Sequence, residues 1–304
     1  MGDIGYLGNS IMQTIEKHKG AFSGKLEYIG WKVTPRCNLN CPFCYAEEDN
    51  PTELCLEALK VGFNNLKSAG FRAINITGGE PMLRDDIIEI CDYVKSLGFI
   101  VMMSSNGTLI KDMEIFNGRL DWLSLSLDGI STTDSNVYTH QEPQKIIDLI
   151  KTFSVKKHDF GLKINTLVTQ ENKKILCDIG SLLEKLGTDL KWKLIKVAPR
   201  GRAKMQQGKI DISLDEFLDL AEFIKTKFRA LQVSYWPSNP NYLKAYYLII
   251  NSEGRIMLPI DNRYICRGSV FSKDVDQIFT HLKHDYSEFV NANSTYLFNS
   301  YGGK

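Results

Sequence analysis

From Leu26 onward, short apolar runs rich in β-branched residues alternate with longer segments of helical periodicity, and this alternation constrains the fold more than any other feature. The expected strands are Leu26–Val33, Ala73–Thr77, Ile100–Ser105, Trp122–Leu127, Gly161–Val168 and Leu190–Val197. The expected helices between them are Thr52–Ala69, Asp85–Leu97, Asp112–Asn117, Pro143–Lys157 and Lys173–Leu186. Gly70, Gly98 and Gly187 each stand just past a helix, where a left-handed residue ends it at little cost. Thr52 and Asp85 suit N-cap positions. Such alternation makes a parallel sheet covered by helices, and right-handed crossovers curl it into a full or partial barrel. The fold class expected is therefore α/β, a partial (β/α)6 barrel over residues 26–210. An N-terminal extension (1–25) precedes it, and a C-terminal extension (211–304) follows. In that extension Ser213–Lys227 reads as one more helix, and Asn251-Ser252-Glu253-Gly254 between Tyr246–Ile250 and Arg255–Leu258 reads as a hairpin turn.

Reactive groups in a barrel of parallel strands gather at the C-terminal strand ends. The loop after the first strand contains Cys37, Cys41 and Cys44, spaced C-x3-C-x2-C among Asn and Pro residues. Seven cysteines, three of them within eight residues, read as metal binding and not as a disulfide framework. Structural zinc wants four closed ligands; three thiolates on a four-iron cluster leave one iron open for a ligand. A zinc knuckle completed by a distant Cys or His is the competing reading.

These residues resemble the radical SAM superfamily, whose signature has this spacing with an aromatic before the third cysteine, here Phe43. A second motif of that superfamily, Thr77-Gly78-Gly79-Glu80-Pro81, follows the second strand. The glycines let backbone approach a ligand closely, and Glu80 and nearby carbonyls can accept hydrogen bonds from an ammonium. The resemblance implies a [4Fe–4S] cluster on Cys37, Cys41 and Cys44 and S-adenosyl-L-methionine (SAM) as cofactors. It implies that Phe43, Thr77, Gly78, Gly79, Glu80, Ser105, Asn106 and Ser126 form the SAM cradle. It also implies reductive cleavage of SAM to a 5′-deoxyadenosyl radical, with the electron supplied by a flavodoxin- or ferredoxin-type donor.

Strand five carries Lys163-Ile164-Asn165, and strand six carries Lys191-Trp192-Lys193 and then Lys196. Alternation puts Lys163 and Asn165 on one face, and Lys191 and Lys193 on one face. From Lys191 to Lys209 there are seven basic residues and no acidic one. On spacing alone those faces are either a solvated exterior or an interior that asks for a polyanion, because buried lysines are costly unless paired.

The order and spacing of Leu162-Lys163-Ile164-Asn165-Thr166, Leu190-Lys191-Trp192-Lys193, Pro237-Ser238-Asn239 and Ala245-Tyr246-Tyr247-Leu248-Ile249 resemble the viperin family, in its prokaryotic type. Viperins convert a nucleoside triphosphate to its 3′-deoxy-3′,4′-didehydro analogue, a chain-terminating antiviral nucleotide, by abstraction of the ribose C4′ hydrogen and loss of water. Carried over, Lys163, Asn165, Lys191 and Lys193 contact the triphosphate, and Tyr247 binds substrate and returns a hydrogen or electron. Gly30 stands where animal members have a polar residue, Lys191 stands for an arginine, and His140 for an arginine contacting SAM, so CTP, UTP and GTP all stay open as substrates.

Two other functions compete. A radical SAM maturase acting on a peptide or small metabolite often has a Cys-rich C-terminal extension, but here only Cys266 lies beyond Cys177. A nucleic-acid-binding module using Lys191–Lys209 predicts a basic chain, and 37 Lys plus Arg against 36 Asp plus Glu does not supply one. Without an apolar run long enough for a signal peptide or membrane span, a soluble cytoplasmic enzyme is expected. Asn9–Lys19 reads as a short surface helix, and the Tyr301-Gly302-Gly303 tail as a lid.

Overall fold

The computed structural model describes residues 27–46, 52–131, 142–187, 190–206, 208–236, 248–260 and 263–292. The helix expected over Asn9–Lys19, the tail lid, His140, Pro237-Ser238-Asn239 and Tyr247 lie outside the described residues. In chain order the elements are β1 (Tyr28–Thr34), α1 (Leu56–Ser68), β2 (Ala73–Gly78), α2 (Ile87–Ser96), β3 (Ile100–Ser105), β4 (Trp122–Ser126), α3 (Pro143–Val155) and β5 (Gly161–Val168). There follow α4 (Leu176–Lys185), β6 (Leu190–Lys196), α5 (Leu214–Lys227), β7 (Gln232–Trp236), β8 (Ile249–Ile250), β9 (Arg255–Ile260), β10 (Arg263–Ser269) and α6 (Val275–Ala292).

The alternation is the expected one, with corrections at helix ends. Helix α1 starts four residues later than Thr52, because Glu53 is drawn out of the helix to accept two hydrogen bonds from the Arg36 guanidinium, both at 3.0 Å. Cys55, not Thr52, stands at its N-cap, and Asp86 replaces Asp85 at that of α2. Asp86 caps nothing because both its oxygens are taken by Arg84, at 2.7 and 2.6 Å. Asp112–Asn117 closes as a 3-10 turn over Met113–Phe116. Strands β7 and β10 and helix α6 were not expected from the sequence.

The chain forms two compact units, the first of residues 1–36, 49–102 and 240–304, the second of 37–48 and 103–239. In the first, β1 runs parallel to β2 and to β8, and β8, β9 and β10 are antiparallel neighbours. Asn251 makes the expected hairpin turn, its side-chain oxygen accepting from the amides of Glu253 (3.1 Å) and Arg255 (2.8 Å). Trp31 of β1 is wholly buried against Phe63 of α1, ring centres 4.6 Å apart. Gly62 makes that seat possible: a Cβ there would stand 2.2 Å from the Trp31 ring.

In the second unit β4, β5, β6 and β7 are parallel and in continuous register. Leu162, Ile164, Leu190, Trp192 and Leu194 fill one face, where Trp192 meets Phe228 just after α5 at 6.1 Å. Gly180 of α4 leaves room for Phe228, since its Cβ would lie 2.4 Å from that ring. The alternate residues therefore form the opposite face.

The Gly62→Ala protein is expected to lose about 1–3 kcal/mol of stability by overpacking against Trp31, read as a lower urea midpoint.

Candidate active site

The cysteine loop belongs to the second unit and is held from several sides. The Cys44 amide donates to the Cys41 carbonyl (3.2 Å), closing the turn between them, and the Leu39 amide donates to Cys37 Sγ (3.5 Å). Asn106 Nδ2 donates to Asn38 Oδ1 (2.9 Å), and Asn38 Nδ2 to Thr108 Oγ1 (2.8 Å). Arg202 donates to the Asn40 side chain, and the Ala203 amide to the Cys44 carbonyl (3.4 Å). Phe43 packs against Val197, Ala203 and Ile210, so its ring anchors the loop. Ser105 Oγ accepts from the Gly107 amide (2.9 Å) and shapes the turn that carries Asn106.

Burial pushes the Cys41 thiol up to about 12, and the Asp128 carboxyl and the thiols of Cys44 and Cys37 add to the shift, while Arg202 opposes it. The three sulfurs thus share one electrostatic environment. Among the described residues no group of three Cys, His, Asp or Glu side chains is placed to hold a metal ion. Three soft thiolates on one loop are the donor set that an iron–sulfur cluster takes.

The Gly-Gly-Glu loop belongs to the first unit. A Cβ on Gly79 would lie 2.1 Å from the Arg36 carbonyl oxygen, and one on Gly78 2.5 Å from that of Thr34. The Gly79 amide donates to Thr34 O (2.8 Å) and the Glu80 amide to Arg36 O (2.7 Å). In this structure the two glycines admit the chain's own backbone just before Cys37. Glu80 is fully buried and accepts from the Met82 amide at 3.1 Å. Thr77 lies on the same loop, at the end of β2 beside Lys32 of β1.

On the second unit's polar face two rows cross the strands. Ser124, Lys163, Lys191 and Gln232 are register partners in one; Ser126, Asn165, Lys193 and Ser234 in the next. Lys163 and Lys191 are buried, which decides between the two sequence readings in favour of an interior. Desolvation, with Lys191 repelling, lowers Lys163 to about 8. Desolvation and then Lys163 lower Lys193 far below the ordinary lysine range. The Asn165 side-chain oxygen is buried without a hydrogen-bond partner among the described residues. The Lys191 ammonium lies 4.4 Å from the Trp122 ring centre, and that of Lys193 5.6 Å from Trp236. The basic stretch to Lys209 divides: Lys196 pairs with Asp211 at 2.9 Å, beyond the acid-free window, while Lys204 and Lys209 are exposed.

Residues 31–174 match the family model of the radical SAM superfamily. Those residues are a radical SAM domain. An AdoMet-dependent heme synthase of Oleidesulfovibrio alaskensis is 31% identical over 242 residues, 75% of this chain, and the match spans 59% of that relative's length. An S-adenosylmethionine-dependent nucleotide dehydratase of Selenomonas ruminantium is 24% identical over 279 residues, 86% of this chain and 97% of its own. Streptococcus suis SuiB bound to precursor peptide SuiA superposes with a TM-score of 0.70 at 17% identity, over 90% of this chain and 68% of SuiB, and shares the fold. This radical SAM enzyme accordingly uses a [4Fe–4S] cluster and SAM.

Sequence reasoning missed Lys32, a buried lysine in the middle of an otherwise apolar strand, a placement that was itself the signal. It also missed the contact of Arg202 with Asn40, which no spacing announces. Asp128 is fully buried and accepts from the Leu167 amide at 2.6 Å; burial raises its carboxyl to about 7.

Because the folded protein keeps that proton longer than the unfolded chain, stability is lost as pH rises from about 4 to about 7. In the iron-free protein, urea midpoints at pH 5 and pH 8 should show that loss in the native enzyme and a smaller one in Asp128→Asn. Gly201 (φ +53°) has its Cβ position 2.4 Å from the Ala46 carbonyl oxygen. Gly201→Ala should therefore lower iron incorporation on anaerobic reconstitution, whereas Gly208→Ala, also at positive φ but in open space, should load normally.

Proposed function

We propose that this radical SAM enzyme converts a nucleoside triphosphate (CTP, UTP or GTP) to its 3′-deoxy-3′,4′-didehydro analogue, a chain-terminating antiviral nucleotide. One observation carries the proposal: Lys163 and Lys193, both desolvated, make no ion pair among the described residues. A buried ammonium without a counter-charge is expensive, and a triphosphate chain supplies that counter-charge. The Asn165 side chain beside Lys193 offers a further polar contact. The nucleotide dehydratase relatives support the same reading.

Cys37, Cys41 and Cys44 would hold the cluster, and the carbonyls of the Gly-Gly-Glu loop would receive the SAM amine. Cluster and SAM would supply a 5′-deoxyadenosyl radical, the species able to take the ribose C4′ hydrogen. The protein's part is positioning: lysines that grip the phosphates fix the ribose within reach. The 3′-hydroxyl then leaves as water, and Tyr247 returns a hydrogen or electron. A cytoplasmic flavodoxin- or ferredoxin-type donor supplies the initial electron. Among the described residues no helix is long and apolar enough to cross a membrane.

Reconstituted enzyme with reductant, SAM and each triphosphate in turn should give 5′-deoxyadenosine matched by a nucleotide lighter by one water, measured by mass spectrometry. 5′-Deoxyadenosine without nucleotide change would sink the dehydratase reading in favour of a peptide or small-metabolite maturase. Since a bound polyanion drives Lys163, at about 8 when free, back toward full protonation, triphosphate affinity should weaken as pH rises through 8. Binding at pH 8 should take up protons, seen as a buffer-dependent heat. Lys163→Met should reduce the uptake, leaving the part that belongs to Lys193.

A further inference from the structure

We infer that Trp122 is a positioning and specificity-determining residue that closes the strand-start end of the lysine rows and limits the phosphate chain to three members. The inference rests on the polyanion reading of those rows and adds what sets their depth.

Trp122 is the first residue of β4 and shares a face with Ser124 and Ser126. Its register partner is Gly161, the first residue of β5. A Cβ at Gly161 would lie 2.4 to 2.6 Å from three atoms of the indole, so the ring lies across the glycine. It thereby occupies the space one step below the row of Ser124, Lys163 and Lys191. The Lys191 ammonium sits 4.4 Å from the ring centre. Cation–π attraction at that distance holds a charged lysine toward the ring face, offsetting its repulsion with Lys163.

The two rows are two residues apart along parallel strands, or about 6.6 Å. That separation is comparable with the run of a few linked phosphoryl groups. Cofactors bind at the C-terminal strand ends in this kind of fold, so the phosphate chain enters past Asn165 and Lys193 and its last member meets Lys163 and Lys191. Beyond them lies the indole, a flat, largely apolar surface. A fourth phosphoryl group would have to displace it.

The probes are inorganic triphosphate and inorganic tetraphosphate, with affinity measured by calorimetry on the iron-loaded enzyme. The native enzyme should bind tetraphosphate no more tightly than triphosphate, despite the extra charge. Trp122→Leu should bind triphosphate about tenfold more weakly and should now prefer tetraphosphate. Trp122→Phe, which keeps an aromatic face, should retain the native order. Gly161→Ala, which pushes the ring from its seat, should behave as Trp122→Leu; iron content and circular dichroism identify any variant that fails to fold. A native order preserved in both Trp122→Leu and Gly161→Ala would overturn the role of Trp122 and leave the polyanion reading standing. Native enzyme that binds neither polyphosphate would overturn both.

Discussion

A parallel ladder carries the side-chain alternation of each strand in step with its neighbour, so residues of like parity on adjacent strands must share a face. In β5 and β6 the register pairs Lys163 with Lys191 and Asn165 with Lys193. The other parity is occupied by Leu162, Ile164, Trp192 and Leu194, all fully buried. A one-residue slip would exchange the two sets, driving ammonium groups against Phe228 and exposing Trp192. The hydrophobic face thus fixes the register, and the register gathers the lysines. No attraction among them is needed, and none exists.

The gathering has a cost visible in the lysines themselves. Neutral lysine relieves desolvation but weakens the grip on a phosphate, and Lys163, at about 8, stands at the balance between the two. Elsewhere in the same unit the chain neutralises its cations: Lys196 meets Asp211 and Lys173 meets Glu216. In the first unit Arg84, nearly buried, meets both Asp86 and Glu53. Lys163 and Lys193 have no ion pair among the described residues, which keeps both available to a ligand's charge. Stability given up there is returned when an anion binds only the folded protein.

Much of this was legible beforehand. The strands Ile100–Ser105 and Gly161–Val168 matched their sequence limits because β-branched runs end there at Asn-Gly and Thr-Gln, with no competing helical period. The cysteine spacing and the lysine alternation are local patterns, and local patterns survive folding. What could not be read depends on partners distant in sequence. Thr52 looked like a helix cap until Arg36 claimed Glu53 beside it. Lys196 looked unpaired until the turn after β6 returned Asp211. Strand β7 has a short, mixed pattern, Gln232-Val233-Ser234-Tyr235-Trp236, which becomes a strand because β6 offers an unfilled edge. The lysine faces were ambiguous because period two states which residues go together and not which side is inside.

The glycines extend the same lesson. Gly-Gly before Glu80 signalled a close approach in the sequence, and Gly201 signalled nothing. Both turn out to admit carbonyl oxygens of the chain: Thr34 and Arg36 against Gly78 and Gly79, Ala46 and Cys44 against Gly201. The absent Cβ lets backbone lie directly on backbone, which leaves no rotamer to vary and so fixes each loop more tightly than side-chain packing would. On the proposed ligand set of Cys37, Cys41 and Cys44, the cluster would depend on the loop between them for its geometry. Rigid backbone seating of that loop by Gly201 and Ala203, together with the Asn38, Asn106 and Thr108 bonds on the opposite side, therefore does for this site what a fourth thiolate does for a closed one.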